Sequence, residues 1–404
     1  MLYKVFGCKV NKYFLNTWLN YFKKDPLDWE KNIIVSTCVV TDRAKTKFVK
    51  ETKKYINQWY KVYLTGCAVI SGGKLIAREK FFEVYQDLLS YSSNIILLPE
   101  NPDTKLDFTE NIYTKKFIVI QNWCDNNCSF CMTVLKRWKS YSFSGQEILT
   151  QINDFEKNWG KEIVLTWVNL AWYWSNNTRL PANSQFNNLL KSILNNTGIQ
   201  RIRISSLWPE FLNDEFFEII CNPRIMPHFH LSIQSFSDDV LQGMKRNYDS
   251  RQLDYVLSKF RNLKRLDFDT VSIGADIIVW FPGETEDDFQ KTYEWIQKFK
   301  INKLHIFPFS AHTKYDNVPA GLLPNQIPKE VIKQREKFLS LLWEKIRQDF
   351  LDKNVWKKFE VLVEQKKTGK WIGWTPNYIE VALDGDYKKW DIILFELITQ
   401  NMQC

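Results

Sequence analysis

The feature that most constrains this fold is a regular alternation of strand and helix patterns between residues 116 and 315. Short apolar, β-branched segments, each typical of a buried strand, are separated by longer amphipathic segments such as SGQEILTQINDFEKN and TEDDFQKTYEWIQKF. The six strand segments are KFIVIQ, EIVLT, RIRISS, HFHLSIQ, GADIIVWF and KLHIFPFS. Repeated strand–helix units predict an open, partial barrel of parallel strands, with its active site at the carboxyl ends of the strands.

A smaller α/β unit is predicted before this barrel. The runs YKVFGC, NIIVSTC and KVYLTGC each end in a cysteine, and the last two flank a charged, helix-like stretch. This order predicts an open parallel sheet with Cys8, Cys38 and Cys67 at the ligand-binding ends of its strands. Residues 91–115 are expected to be a linker into the next strand.

The chain after the barrel is predicted to form a long helix and then a small β module. The helix is expected over the whole of LPNQIPKEVIKQREKFLSLLWEKIRQDFL, and the tail that follows has short strands and turns. The predicted α/β protein therefore has an N-terminal open parallel domain (1–105) and a central partial barrel of six strand–helix units (106–340). The last unit (341–404) comprises the end of the connecting helix and a small β module.

Composition and charge limit the classes of protein to which this chain can belong. The net charge of +9 fits a polyanionic partner such as nucleic acid, and it fits a merely basic soluble protein equally well. No apolar run is long enough to span a membrane, and MLYKVFGCKVNK has no secretory h-region. We therefore expect a cytoplasmic protein whose eight cysteines are thiols or metal ligands.

The strongest local motif is WCDNNCSFC, which carries Cys124, Cys128 and Cys131 directly after a strand. Three thiolates on one loop bind three irons of a 4Fe–4S cluster, and the open fourth iron suits S-adenosylmethionine (SAM) and its cleavage to a carbon radical. A structural zinc site is the alternative, but it needs four ligands, and no fourth Cys or His lies nearby in sequence.

The other cysteines carry weaker signals. The alternative reading of Cys8, Cys38 and Cys67 is three buried core cysteines. Cys221 and Cys404 have no partner in the sequence pattern and are expected to be unpaired thiols.

The ordered motifs FGCKVN, VSTCVVTDRA, LTGC, CDNNCSFC, PHFHLSIQSFSD, ADIIVWFPGETEDDF and LHIFPFS resemble the radical-SAM methylthiotransferases from the first residues to about residue 395. GCKVN and PNQIPKEVIKQRE look most like the branch that modifies threonylcarbamoyl-adenosine in tRNA. The resemblance implies a radical-SAM barrel with a 4Fe–4S cluster on Cys124, Cys128 and Cys131. It also implies an auxiliary 4Fe–4S cluster on Cys8, Cys38 and Cys67, and a TRAM-like RNA-binding module in roughly residues 354–404.

The reaction that this resemblance implies replaces the C2 hydrogen of a modified adenosine, 3′ of the anticodon, with a methylthio group. One SAM methylates sulfur on the auxiliary cluster, and a second supplies the 5′-deoxyadenosyl radical. The implied partners are tRNA and an electron donor such as flavodoxin or ferredoxin, with no membrane.

Further site residues are predicted from their positions at strand ends. Asn169, Ser205, Gln234 and Ser235 are candidates for the SAM head group and Phe130 for its adenine, although such polar residues also cap helices. Lys136, Arg137 and Lys139 are candidates for tRNA phosphate or for solvated surface charge. No catalytic role is expected for the four histidines, and the two that lie in strand patterns are expected to be packed. The four are His228, His230, His305 and His312.

Tryptophan stands where the resembling family has glycine. The chain has 14 Gly and 17 Trp, whereas average usage predicts roughly 28 Gly. We therefore hypothesise a gene in which UGA encodes glycine, here translated as tryptophan; tryptophans that stack on RNA bases are the alternative. Family glycines correspond to Trp123, Trp138, Trp167, Trp174 and Trp280, and the wider set adds Trp159, Trp172, Trp208, Trp356, Trp371 and Trp374. Phe236 is a separate departure from a family glycine.

Two other functions remain open from sequence. A sister methylthiotransferase would act on isopentenyl-adenosine in tRNA or on an aspartate of a ribosomal protein, and GCKVN argues against both by resemblance. A non-catalytic metal-containing RNA-binding protein is the alternative from a different class, and metal analysis separates it from an enzyme with two clusters.

Overall fold

The structure, a computed structural model, describes residues 1–27, 31–102, 111–137, 140–170, 173, 183–312 and 317–402. The helices are α1 Lys9–Lys24, α2 Asp42–Ile56, α3 Arg78–Val84, α4 Thr133–Lys136, α5 Gly145–Lys157, α6 Asn183–Asn196, α7 Asp214–Ile219, α8 Asp238–Gly243, α9 Ser250–Arg261, α10 Glu286–Lys298 and α11 Lys329–Asp352. The first strands are β1 Leu2–Val5, β2 Asn32–Thr37, β3 Lys61–Gly66, β4 Ile70–Ser71, β5 Lys74–Leu75, β6 Ile95–Leu97, β7 Lys115–Val119, β8 Gln121–Asn122 and β9 Tyr141–Ser142. The remaining strands are β10 Glu162–Thr166, β11 Arg201–Ile204, β12 His228–Gln234, β13 Ser272–Val279, β14 Lys303–Pro308, β15 Lys358–Lys367, β16 Lys370–Trp374, β17 Glu380–Leu383 and β18 Ile392–Glu396.

The N-terminal unit is the predicted open parallel sheet. Its strands lie in the order β1-β2-β3-β6, and every neighbouring pair is parallel. The expectation of a linker over residues 91–115 was wrong at its start, because β6 is the fourth strand and pairs Ile95–Leu97 with Val62–Leu64. This strand is only three residues long, too short for period-2 alternation to reveal it in the sequence.

The six predicted barrel strands all form. They make two three-stranded parallel sheets, β11-β10-β7 and β12-β13-β14. Isolated parallel bridges between Ile202 and Ile225 and between Leu207 and Leu231 connect the two sheets. Local sequence defines where two of the intervening helices begin. Helices α5 and α10 both start with a capping box, formed by Ser144 with Glu147 and by Thr285 with Asp288.

The C-terminal unit is a four-stranded antiparallel sheet in the order β17-β16-β15-β18. Its connecting helix α11 begins at Lys329, later than the sequence pattern suggested, because Pro328 disfavours helical backbone in the residue before it. Two buried arginines of β11 attach this sheet to the barrel. The Arg201 guanidinium donates to the carbonyls of Glu360 and Trp374, and that of Arg203 donates to those of Thr375 and Pro376.

Among the described residues, no helix combines the length and the apolar character that a membrane span requires.

Several tryptophans have the backbone conformation that glycine favours. Six of them have φ between 63° and 77°, in the left-handed region that bulky side chains rarely adopt. They are Trp59, Trp123, Trp159, Trp280, Trp356 and Trp390. Trp59 and Trp390 were not among the residues singled out in the sequence.

Two of these residues lie at the position where helices commonly end in glycine. After α5, the amides of Trp159 and Gly160 donate to the carbonyls of Glu156 and Phe155, which is the Schellman pattern with Trp159 at C′. The amides of Trp59 and Tyr60 repeat this pattern after α2. Glycine is the usual residue at C′ because it adopts positive φ without a Cβ clash.

Other tryptophans in the proposed set have ordinary backbone. Trp167 is buried, and its indole donates to the carbonyl of Ser206 at 2.8 Å. Trp208 is also buried, with the guanidinium of Arg246 3.7 Å from its ring centroid. Neither has the left-handed backbone that we expected for a glycine substitute. Trp138, Trp172 and Trp174 lie outside the described residues.

Candidate active site

The cysteines of the CDNNCSFC motif lie on the loop that follows β7 and β8, at the carboxyl end of a barrel strand. Each sulfur accepts hydrogen bonds from N–H groups of the chain. Cys124 Sγ accepts from the Asn126 amide at 3.4 Å and from Asn169 Nδ2 at 3.4 Å. Cys131 Sγ accepts from the Thr133 amide at 3.3 Å. Hydrogen bonds of this kind tune the sulfurs of iron–sulfur clusters.

Cys128 receives a charged donor that sequence reasoning missed. Arg246 Nη1 lies 3.5 Å from Cys128 Sγ, and the guanidinium is buried beneath Trp208 and Tyr248. Burial raises the pKa of the Cys124 thiol to about 12 and also raises the pKa of Cys128. Without a bound metal these thiols would stay protonated. No spacing rule links residue 246 to residue 128, so only the fold reveals this contact.

The second trio lies at the carboxyl ends of β1, β2 and β3, as predicted. Cys8 is exposed, Cys38 is buried and Cys67 is partly buried, so the trio is not simply three core cysteines. The loops approach closely at Gly7 and Gly66, which have φ of +102° and +90°. A Cβ on Gly7 would lie 3.1 Å from Cys38 Sγ, and one on Gly66 would lie 2.7 Å from the Thr37 carbonyl oxygen. Glycine is therefore required beside two of the three cysteines.

Arg137 connects the two cysteine trios. It is fully buried, pairs with the carboxylate of Glu100, and donates to Asn122 Oδ1 at 2.8 Å and Asn11 Oδ1 at 3.1 Å. Burial raises the pKa of the Cys67 thiol, and the positive charge of the nearby Arg137 guanidinium opposes this effect and lowers it. The prediction that Arg137 and Lys136 contact tRNA phosphate or solvent was wrong, because both side chains are buried. Lys139 lies outside the described residues.

Both trios face one cavity of about 200 Å³. Cys67 and Cys131 line it, together with Phe130 and Gln234, two of the predicted SAM contacts, and Asp276. Gln234 ends β12 with φ of 72°, so its backbone is itself strained at this site.

The other predicted SAM contacts are placed differently. Asn169 donates to Cys124, as described above, while Ser205 Oγ accepts from Lys9 Nζ at 3.2 Å. Ser235 Oγ accepts from the amide of Ser237, the N-cap residue of α8, so it forms a local turn contact and does not itself cap the helix. The structure therefore brings Phe130 and Gln234 together and leaves Ser205 and Ser235 with other partners.

The histidines were only partly predicted. Three of the four lie in strands, because His305 is in β14 and His228 and His230 are in β12. His230 Nε2 and His305 Nδ1 lie 2.8 Å and 3.1 Å from the same Asp276 oxygen, so these rings form a polar cluster at the cavity wall. The sequence pattern predicted simple packing because the strands that bring these residues together are distant in sequence.

A second cavity of about 600 Å³ occupies the lumen of the partial barrel toward the amino ends of its strands. Its walls come from α1, the barrel strands and the C-terminal sheet, and its lining includes the cations Lys9, Lys12, Lys115 and Arg203. Burial, with further repulsion from Lys115 and Arg203, lowers the pKa of Lys9 to about 8.

The charges on the floor of this lumen are partly neutralised. The buried Glu162 carboxylate accepts from Arg201 Nε and Arg203 Nε, both at 2.7 Å. Burial alone would raise the Glu162 pKa, but these arginines and Lys115 outweigh it and lower the pKa to about 2.

Comparison with known proteins agrees with this geometry. The model of the radical SAM superfamily matches residues 118–296. The chain is 31% identical over 398 residues to the threonylcarbamoyladenosine tRNA methylthiotransferase MtaB of Rickettsia prowazekii, covering 94% of this chain and 90% of that protein. It is 32% identical to the MtaB of Thermotoga maritima, covering 85% and 83% of the two chains. A tRNA-2-methylthio-N(6)-dimethylallyladenosine synthase of Campylobacter jejuni is 27% identical, covering 91% and 87%. With two cysteine trios at one cavity and this likeness along most of its length, the chain belongs to the radical SAM tRNA methylthiotransferase family.

Proposed function

We propose that this chain is a tRNA-modifying enzyme that replaces the C2 hydrogen of N6-threonylcarbamoyladenosine, 3′ of the anticodon, with a methylthio group. The observation that carries the proposal is the single cavity that both cysteine trios face, with Cys67 and Cys131 on its wall. A reaction that removes a hydrogen and adds sulfur at one carbon needs radical generation and sulfur delivery at the same place.

The residues of the CDNNCSFC loop fit a 4Fe–4S cluster. Each sulfur has at least one N–H donor, and three cysteines leave one iron free for SAM. The zinc alternative is less well supported. Thiolates on one tetrahedral zinc lie about 4 Å apart, given Zn–S bonds of about 2.3 Å. Among the described residues, the one group of three ligand atoms that all lie within 4.8 Å of one another is His230, Asp276 and His305, which contains no cysteine.

The second trio is proposed to hold an auxiliary 4Fe–4S cluster. Its support is the convergence of Cys8, Cys38 and Cys67 from three strand ends, with Arg137 beside Cys67. This cluster is the proposed site of sulfur delivery, because it lies across the cavity from the first trio.

The chain's own residues are proposed to bind and orient the reactants. Bound at the first trio, a 4Fe–4S cluster supplies the reductive cleavage of SAM that an unactivated aromatic C–H requires. Phe130 packs beside Cys131 and is proposed to cover the adenine of SAM, and Gln234 is proposed to contact its polar head. Asn169 holds Cys124 in place. Ser205 and Ser235 stay weaker predictions, because both have other partners.

The remaining proposals concern how the tRNA substrate is bound and which protein supplies the electron. The β-sheet of residues 358–396, within the proposed module 341–404, is the proposed tRNA-binding unit, and domain boundaries at 105 and 340 are proposed with it. An electron donor such as flavodoxin or ferredoxin is the proposed reductant, and the cytoplasm is the proposed location.

The decisive experiment uses the chain reconstituted anaerobically with iron and sulfide, supplied with SAM, a reductant and tRNA that carries threonylcarbamoyladenosine. Mass spectrometry of the nucleosides is expected to reveal the methylthio derivative. If 5′-deoxyadenosine forms without it, the radical chemistry stands and the substrate is wrong. If tRNA carrying isopentenyladenosine reacts instead, the sister function replaces this one. Zinc without iron in the purified protein would support the non-catalytic RNA-binding protein.

A further inference from the structure

The lumen of the barrel and the strand end beside it contain cations that form no ion pair with any residue that the structure describes. Lys9 Nζ is bonded to the neutral hydroxyl of Ser205 at 3.2 Å. Lys12 Nζ lies over the rings of Tyr113 and Phe117, and Lys303 Nζ lies 3.8 Å from the centroid of the Tyr378 ring. Among the described residues, no carboxylate oxygen lies within ion-pair distance of these three ammonium groups. Their neighbours Lys115, Arg201 and Arg203, in contrast, are all paired with Glu162. Lys115 also pairs, at 2.6 Å, with Glu364, the acidic residue that lines the same lumen.

An enclosed ammonium group without a counter-ion is costly, and this arrangement suits an incoming anion. Lys9 has three N–H donors, and the hydroxyl of Ser205 uses one of them. A site for an uncharged, apolar substituent would not require this cluster of cations.

Lys9 also has a special place between the two cavities. It directly follows Cys8 of the second trio and begins α1, and its side chain lines the lumen. It also interacts electrostatically with Asp276, which lines the cavity between the cysteine trios. Lys9 therefore lies both next to a cysteine of the second trio and in the wall of the lumen, where the N6 substituent of a base held beside the cysteines is proposed to extend.

We propose that Lys9 recognises the carboxylate of the threonylcarbamoyl group and so determines which modified adenosine enters the site. This inference rests on the proposed function, because that group is the anionic part of the proposed substrate. Lys9 acts in specificity and takes no part in the chemical steps. Ser205, which accepts from Lys9, positions the ammonium group.

The test measures binding rather than turnover, by fluorescence anisotropy without reductant. The probes are three anticodon stem-loop RNAs that carry adenosine, threonylcarbamoyladenosine or its methyl ester 3′ of the anticodon. The wild-type chain is expected to bind the acid about tenfold more tightly than the ester, since a charged hydrogen bond is lost. Lys9→Met should lose most of the preference for the acid. Lys9→Arg, which keeps the charge if the methionine variant fails to fold, should retain a preference for the acid.

Lys366→Met is the matched control, because Lys366 is an exposed lysine at the rim of the same lumen. It should weaken the binding of all three RNAs by the same factor and leave the preference for the acid unchanged. If folded Lys9→Met keeps the wild-type preference for the acid, the role of Lys9 is refuted while the proposed function stands. If the wild-type chain binds the adenosine and threonylcarbamoyladenosine RNAs equally, the proposed substrate fails and this inference fails with it.

Discussion

Replacing Trp59 or Trp159 with glycine should stabilise the protein, although large-to-small substitutions usually do the opposite. Both residues lie at C′ of a helix with φ of 67° and 63°. Left-handed backbone costs an L-residue about 1–2 kcal/mol. The extra unfolded-state entropy of glycine offsets about 0.5–1 kcal/mol of that gain. The side chains are 80% and 79% exposed, so little apolar burial is lost. We expect a net gain of about 0.5–1 kcal/mol for each substitution.

Thermal unfolding followed by circular dichroism measures this gain. A stabilisation of 1 kcal/mol raises Tm by roughly 2–4 °C for a unit of 150–250 residues. Lys300→Gly is the matched control that tests the backbone effect without removing a tryptophan. Lys300 occupies the same C′ position after α10, with φ of 46°. Trp18→Gly is the opposite control. Trp18 is buried within α1 and donates to the Pro99 carbonyl, so its loss should cost about 3–5 kcal/mol. A lower Tm for Trp59→Gly and Trp159→Gly would refute the argument from backbone strain.

The codons of the gene test the origin of these residues independently. If UGA is read as glycine, UGA should encode the six left-handed tryptophans, and UGG should encode tryptophans inside helices, such as Trp18 and Trp343. UGG at Trp280 and Trp167 would contradict the hypothesis. Trp280 is informative because its indole N–H is buried without a hydrogen-bond partner among the described residues, an arrangement that a natural tryptophan rarely has.

Three further predictions concern the site and its supports. Cys131→Ala and Cys67→Ala should each lower the iron content of the reconstituted protein from about eight to about four atoms per chain; a variant with full iron content would exclude its cysteine as a ligand. Arg137→Met should destabilise the protein by about 3–5 kcal/mol in urea unfolding, because it leaves the Glu100 carboxylate buried without its cation, and an unchanged midpoint would refute this. Glu162 has a folded pKa of about 2 against about 4.5 when unfolded, so its contribution of roughly 3 kcal/mol is present above pH 4.5 and is lost as the pH falls toward 2. Glu162→Gln should remove that part of the acid sensitivity, and an identical pH profile would show that the ion pairs contribute nothing.

Much of the site was predictable because its chemistry is local in sequence. The spacing of Cys124, Cys128 and Cys131 needs no tertiary information, and the strand patterns predicted that Cys8 and Cys38 would lie at strand ends. Parallel strands align their carboxyl ends, so a motif after each strand is enough to predict convergence. For the same reason the six barrel strands and the long helix were correctly predicted. Short elements failed, as β6 did, because three residues carry no periodicity.

What only the tertiary structure decided is the set of partners that reach the site from distant segments. Arg246 beside Cys128, Arg137 between the trios and the imidazoles on Asp276 all depend on how sheets and loops pack, and no spacing encodes them. The sequence also did not show whether a charged side chain is exposed or buried. Arg137 was expected at the surface, but its guanidinium is buried in an ion pair with Glu100. By itself the sequence determined the family, the strand order along the chain and the placement of six cysteines after strands, because these are properties of local pattern and composition. The tertiary structure decided which of the described cations form an ion pair and which do not, because ion pairing depends on distances between side chains that only folding sets.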